Sequence, residues 1–148
     1  MSRVNVGINP KYLADQHLIA EHVEITMITG GLRKHNYQIK SLLPQMFCLG
    51  TGHINFFKNK ILYLQKRLNN VKAEMAARGF NTSCNINLNE FPKELCNDWQ
   101  PDLRDSNIIR ERISWKLRTG KNYRYMRQKI NDIENFIKLI NESEVYRV

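Results

Sequence analysis

Ile54, Phe57, Ile61, Leu64, Leu68, Val71 and Met75 recur at alternating steps of three and four. Only an α-helix keeps residues at that spacing on one face, so the sequence predicts a central helix whose apolar stripe lies against a core. Lysines, arginines and asparagines occupy the other side of the same segment. Gly50-Thr51-Gly52 punctuates the chain before it, and Gly79 follows as a left-handed stop with Phe80 as the apolar contact that folds back.

The rest of the chain is read around that helix. Residues 2 to 10 are expected to be extended up to Asn9-Pro10, because a residue before proline is pushed away from helical angles. A first helix is predicted from Lys11 to Ile28, ended by Gly30-Gly31, with a brief helix over Leu32 to Tyr37 before Pro44. Residues 81 to 104, rich in Asn, Pro and Asp, read as a long irregular loop with one helical turn near Pro92 to Leu95. Asp105 or Ser106 is the expected cap of a third helix that runs to Leu117 and turns Ile109, Ile113 and Leu117 inward. Thr119 to Asn122 interrupts it, and helix is expected again from Tyr123 to about Glu142. The last part carries a stripe of Ile130, Ile133, Ile137 and Ile140, which either packs back on the domain of a monomer or joins two copies. The fold class is all-α: one compact domain, 1–148, of three main helices with an added C-terminal helix.

Charge points to the partner. The net charge is +9 with a pI near 9.6, which favours a polyanion. Nine bases (Arg104, Arg110, Arg112, Lys116, Arg118, Lys121, Arg124, Arg127, Lys129) stand between 104 and 129 against two acids, Asp105 and Glu111. Trp115, Tyr123 and Tyr125 are interleaved with them. Cations neutralise phosphates, and aromatic faces receive an unstacked base. No apolar run is long enough to cross a bilayer and no leader pattern precedes the domain, so a soluble, cytoplasmic protein is expected. Cys48, Cys84 and Cys96 show no close CxxC pair, and His17 and His22 lie on different helical faces. Reduced thiols, no metal site and no cofactor are expected.

Chemistry concentrates on the first helix. At helical period Ala14, Leu18 and Ile25 share one side, while Gln16, His17, Ala20 and Glu24 share a neighbouring one. An acid, an imidazole and an amide therefore meet within two turns, and a carboxylate beside open space can exchange a proton. The same residues also describe an ordinary amphipathic helix with an interior histidine and a solvated acid.

Three stretches lift that ambiguity. Ser2-Arg3-Val4-Asn5, the run Leu13-Ala-Asp-Gln-His-Leu-Ile-Ala-Glu21 with Glu24, and Phe47-Cys-Leu-Gly-Thr-Gly-His-Ile-Asn-Phe-Phe57 resemble the bacteriophage endonuclease V family of pyrimidine-dimer DNA glycosylases with AP lyase activity. The similarity continues through Lys66-Arg67 and Arg78-Gly-Phe-Asn81, weakens, and recovers from Arg112 to Lys129.

The resemblance implies a DNA-repair enzyme on double-stranded DNA. Removal of Met1 would free the α-amine of Ser2, which attacks the sugar of the damaged nucleotide and forms a Schiff base, with strand cleavage by β-elimination. An α-amine, with a pKa near 8, is nucleophilic at neutral pH more often than a lysine. By the same resemblance Glu24 is the catalytic acid that steadies the cationic sugar. Arg3, Gln16 and His17 line the pocket and hold DNA, Arg112 and Lys116 grip phosphates, and Lys121, Tyr123 and Arg124 fall in the loop that meets the duplex.

The departures are specific. Val23 and Met27 stand where the family carries arginines flanking its glutamate, and each lost charged hydrogen bond is worth about 1.5–3 kcal/mol. Asn122 stands in place of the loop tryptophan, the basic stretch before Pro44 is shortened, and residues after about Asn131 are an addition. A second expectation follows: a non-catalytic relative that binds nucleic acid or a phosphorylated nucleotide.

Overall fold

A computed structural model describes residues 3–148, and Ser2 therefore lies outside the described residues. The fold is all-α apart from one two-stranded hairpin. Its helices are α1 (Asp15–Lys34), α2 (Gly52–Phe57), α3 (Ile61–Ala77), α4 (Leu103–Thr119) and α5 (Ile133–Glu142). The hairpin strands are β1 (Arg124–Tyr125) and β2 (Gln128–Lys129).

α1 packs on α3, and the amino-terminal segment threads between the helices. Val4, Val6 and Ile8 are fully buried there. A buried charge cluster ties the three together. Arg67 of α3 donates from Nε and Nη2 to the two carboxylate oxygens of Glu21 at 2.6 and 2.9 Å, and from Nη1 to the Ile8 carbonyl at 2.7 Å. Asn5 Nδ2 adds a bond to Glu21 at 3.0 Å. Both charged side chains are wholly withdrawn from solvent, so their strong mutual bonding is what makes that position tolerable.

The first helix differs from expectation at both ends. Pro10–Tyr12 forms a separate 3-10 turn whose Lys11 amide is met by the Asn9 side chain, and α1 starts only at Asp15. It then continues through Gly30-Gly31 to Lys34. Burial of Leu32 at 1 % exposure rewards that last turn. Two glycines cost about 1 kcal/mol each in a helix, less than burying a leucine and closing the turn. The brief helix expected over 32–37 is the end of α1 itself, closed by left-handed Asn36 and Tyr37.

The central helix is also interrupted. Lys58–Lys60 separates α2 from α3, with Lys60 out of helical conformation and bridged to Cys96, and with Asn97 Nδ2 on the Asn59 carbonyl. The break turns Phe56 and Phe57 together into an aromatic cluster with Phe47, Tyr63 and Trp99, and leaves Ile54 at 37 % exposure. At the far end Gly79 is left-handed, and the Phe80 amide reaches Met75 O at 2.9 Å while the Gly79 amide reaches Ala76 O at 3.0 Å. This is the expected Schellman stop.

The following loop is irregular as expected, with 3-10 turns at Leu88–Glu90 and Lys93–Leu95. α4 begins three or four residues earlier than predicted. Asp102 caps it, and Asp105 serves as the reciprocal partner of a capping box rather than as the cap.

Helix does not resume at Tyr123. Met126 and Arg127 both take positive φ, a two-residue turn that pairs Tyr125 with Gln128. The Asp15 carboxylate accepts both turn amides, Met126 at 3.0 Å and Arg127 at 2.7 Å, and also binds Arg78 at 2.9 Å. α5 starts afresh with Asp132 as its cap. It packs on α4 with Ile137 and Ile140 buried, so that part of the stripe is covered by the chain itself. The three cysteines are free thiols.

Candidate active site

His17 and Glu24 are seven residues apart on α1, two turns along one face. Glu24 is 4 % exposed. Opposite them α4 presents Arg112 and Lys116, one turn apart, and Arg3 arrives on the amino-terminal segment. The electrostatics place these groups in one cluster. Burial lowers the pKa of the Arg112 guanidinium, and the charge of Arg3 lowers it further, while Tyr123 and Glu24 oppose the shift. His17 is held down to about 4 by burial, then by Arg112 and by Lys116. Its imidazole is therefore neutral at pH 7, and its buried Nδ1 has no hydrogen-bond partner among the described residues. Three cations against one carboxylate make the cluster receptive to an anion.

Tyr123 closes one side, its ring 4.9 Å from that of His17. It reaches there because Gly120 has no side chain. A Cβ at Gly120 would lie 2.5 Å from the Tyr123 ring and 2.8 Å from the Lys116 carbonyl. Gln16 fixes the same loop rather than facing open space. Its amide nitrogen donates to Asn122 O at 2.7 Å, and its oxygen accepts the Arg124 amide at 3.0 Å. Lys121 is exposed in the turn, and Arg124 lines a neighbouring shallow cleft with Ile19, Phe80 and Arg127. The structure thus gathers Arg3, His17, Glu24, Arg112, Lys116 and Tyr123, and leaves Gln16, Lys121 and Arg124 around the rim.

The front of the site rests on a residue that sequence reasoning left without a role. His53 is fully buried; its Nε2 accepts the Val4 amide at 3.0 Å and its Nδ1 meets the Cys48 carbonyl at 3.0 Å. The two bonds fix the neutral Nδ1–H tautomer. Burial keeps its pKa near 4 against the raising effect of the Cys48 bond, with Arg3 and Arg112 adding to the depression. His53 thereby anchors the chain one residue after Arg3. The available signal was a histidine between Gly52 and an apolar run, a polar residue on the core side of a helix.

Val23 and Met27, which flank Glu24, are 45 % and 58 % exposed. The wall beside the acid is apolar and open. Among the described residues no group of three or more His, Cys, Asp or Glu is placed to hold a metal ion, and no helix is long and apolar enough to cross a membrane.

Residues 1–88, more than half of the chain and the part that supplies Arg3, His17, Glu24 and His53, match the sequence model of the pyrimidine dimer DNA glycosylases. The chain belongs to the pyrimidine dimer DNA glycosylase family. Glycosylase-type action on DNA is the family's function, and the basic side of the site suits that polymer. The match ends before α4, the hairpin and α5. Arg112, Lys116 and Tyr123 are therefore brought to the candidate site by segments outside the matched region.

Proposed function

We propose that the protein is a DNA N-glycosylase with AP lyase activity on damaged or modified pyrimidines, acting through the Ser2 α-amine and Glu24. The observation that carries this reading is the buried Glu24 carboxylate, set against Arg112 and within the same cluster as Arg3, His17 and Tyr123. Removal of Met1 leaves a primary amine on Ser2, which attacks C1′ of the target nucleotide. The C1′–N bond to the base breaks and the base leaves, taking a proton, and the C1′–O4′ bond then opens, with a proton delivered to O4′. The iminium that remains is the cationic partner of Glu24. Loss of a C2′ proton then expels the 3′-oxygen and cuts the strand. Arg3, Arg112 and Lys116 hold the flanking phosphates, and Tyr123 stacks where a base leaves the duplex.

Borohydride trapping on ultraviolet-irradiated and on abasic duplex DNA tests this. A covalent adduct is expected, lost on amino-terminal acetylation, with nicking reduced at least a hundredfold in Glu24→Gln. The exposed Val23 and Met27 favour a second reading, a relative that binds nucleic acid or a phosphorylated nucleotide without cutting it. Salt-dependent binding with neither adduct nor nicking would select that reading and reject the first.

A further inference from the structure

Against the hairpin that follows Tyr123 lies a cleft of about 460 Å³, within the range of small-ligand sites. Its walls are the rings of Tyr12, Tyr125 and Phe136 with Leu139; Lys11 and Lys129 are among the lining residues, which include no carboxylate, and Glu144 lies in an adjoining cleft that Lys11 also borders. The rings are held in place. Tyr125 donates its hydroxyl to the Lys11 carbonyl at 2.8 Å, has the Arg78 guanidinium 4.3 Å from its centroid, and meets Phe136 edge-on at 5.9 Å. Leu139, at 49 % exposure, leaves the cleft open to solvent.

We propose that this cleft is a second nucleic-acid subsite, which takes one unstacked nucleobase against the aromatic walls and its phosphate on Lys11 and Lys129. Flat rings select a flat aromatic ligand whatever its hydrogen-bonding edge, and two cations in a lining that holds no acid favour an anionic one. A nucleotide combines both properties. Position supports the assignment. Tyr123 of the active site and Tyr125 of the cleft are two residues apart, a backbone advance of about 7 Å, and the Tyr123 carbonyl accepts the amide of Ile130, another lining residue, at 3.0 Å. The cleft therefore lies beside the glycosylase site, on a chain segment beyond the matched region. It does not depend on the Ser2 chemistry.

The same nucleobase and phosphate can come from a free mononucleotide or from an opened strand. Full-length protein is titrated by ¹H–¹⁵N correlation spectroscopy with deoxyadenosine monophosphate, with undamaged single-stranded deoxyoligonucleotide and with inorganic phosphate. Shifts of the Lys129, Ile130 and Leu139 amides by nucleotide or strand, absent with phosphate, are the expected result. Binding by the oligonucleotide alone assigns the site to an opened strand, and saturation by the mononucleotide at equal or lower concentration assigns it to free nucleotide. Leu139→Asp and Lys129→Glu, both at exposed positions, should each weaken the interaction about tenfold while borohydride trapping at an abasic site persists. No shift at these amides, equal shifts with phosphate, or affinity unchanged in both variants would overturn the proposal. Nucleotide binding in a wild-type protein that forms no borohydride adduct would instead refute the Schiff-base reading and leave this one standing.

Discussion

Arg67→Met removes one partner of the buried ion pair and leaves the Glu21 carboxylate with only Asn5 in a fully buried position. Stranding a charge in this way costs about 3–5 kcal/mol, and the Ile8 carbonyl loses its 2.7 Å donor as well. We expect a loss of about 4 kcal/mol, which for a urea slope near 2 kcal/mol/M moves the midpoint down by about 2 M. Glu21→Leu strands the guanidinium and should cost a similar amount. The double variant removes both charges at once, so its loss should fall short of the sum by at least about 2 kcal/mol. What it retains is the desolvation of the Ile8 carbonyl and the Asn5 amide, about 1–3 kcal/mol each. Equilibrium unfolding followed by circular dichroism on all four proteins closes the cycle. A loss under about 1 kcal/mol in Arg67→Met, or strict additivity in the double variant, would refute the claim that this pair fastens the amino-terminal segment to α1 and α3.

Acidification should unfold the protein through its histidines. His53 and His17 titrate near 4 in the fold and near 6.5 in the unfolded chain, so between those values the unfolded state binds more protons and stability rises with pH. The contribution is fully present above about 6.5 and lost below about 4. It amounts to roughly 3 kcal/mol for buried His53 and less for partly exposed His17; a flat urea midpoint from pH 4.5 to 7 would contradict this. Arg112→Gln should raise the His17 titration, read from its ring resonances, because that charge stands second only to burial in holding it down. No movement would separate the two groups. Gly120→Ala should displace Tyr123 from His17, costing about 1–3 kcal/mol and weakening duplex binding severalfold, whereas wild-type affinity and stability would show that the loop contact is dispensable. Val23→Arg with Met27→Arg places two cations beside Glu24 at exposed positions, and duplex affinity should then fall more steeply with salt, the logarithmic slope growing by up to about 0.9 per phosphate gained. An unchanged slope would mean that DNA does not approach this wall.

The periodic segments were legible because apolar spacing is a local property. The stripe from Phe57 to Met75, the inward face Ile109–Ile113–Leu117 and the Gly79 stop all follow from residues within a few turns of one another. The misplaced boundaries have distant causes. Lys60 leaves the helix to bridge Cys96, and Leu32 draws α1 past two glycines. The hairpin was hidden for the same reason. Met126 and Arg127 have no preference for positive φ, and the turn forms because Asp15, more than a hundred residues earlier, accepts both of its amides.

The candidate site divides along the same line. Residues that would meet DNA stand out in a sequence as charge and aromatic character without an apolar neighbour to pack on. Residues that hold them in place look like errors in an apolar pattern. Glu21 sits between Leu18 and Ile25 on the core face of α1, Arg67 between Leu64 and Val71 on that of α3, and His53 just ahead of the Phe56–Phe57 pair. Each is a polar group at a position where burial without a partner is costly. A partner must therefore exist, and all three partners lead to the same place: Glu21 and Arg67 hold residues 5 and 8, and His53 holds residue 4. Three separate polar substitutions in the core thus share one physical purpose, to fix the amino-terminal segment. A fold that needed this segment only as filler could hold it with Val4, Val6 and Ile8 alone. Directional bonds at residues 4, 5 and 8 add what apolar packing lacks, a defined register for the segment that carries Arg3 toward Arg112.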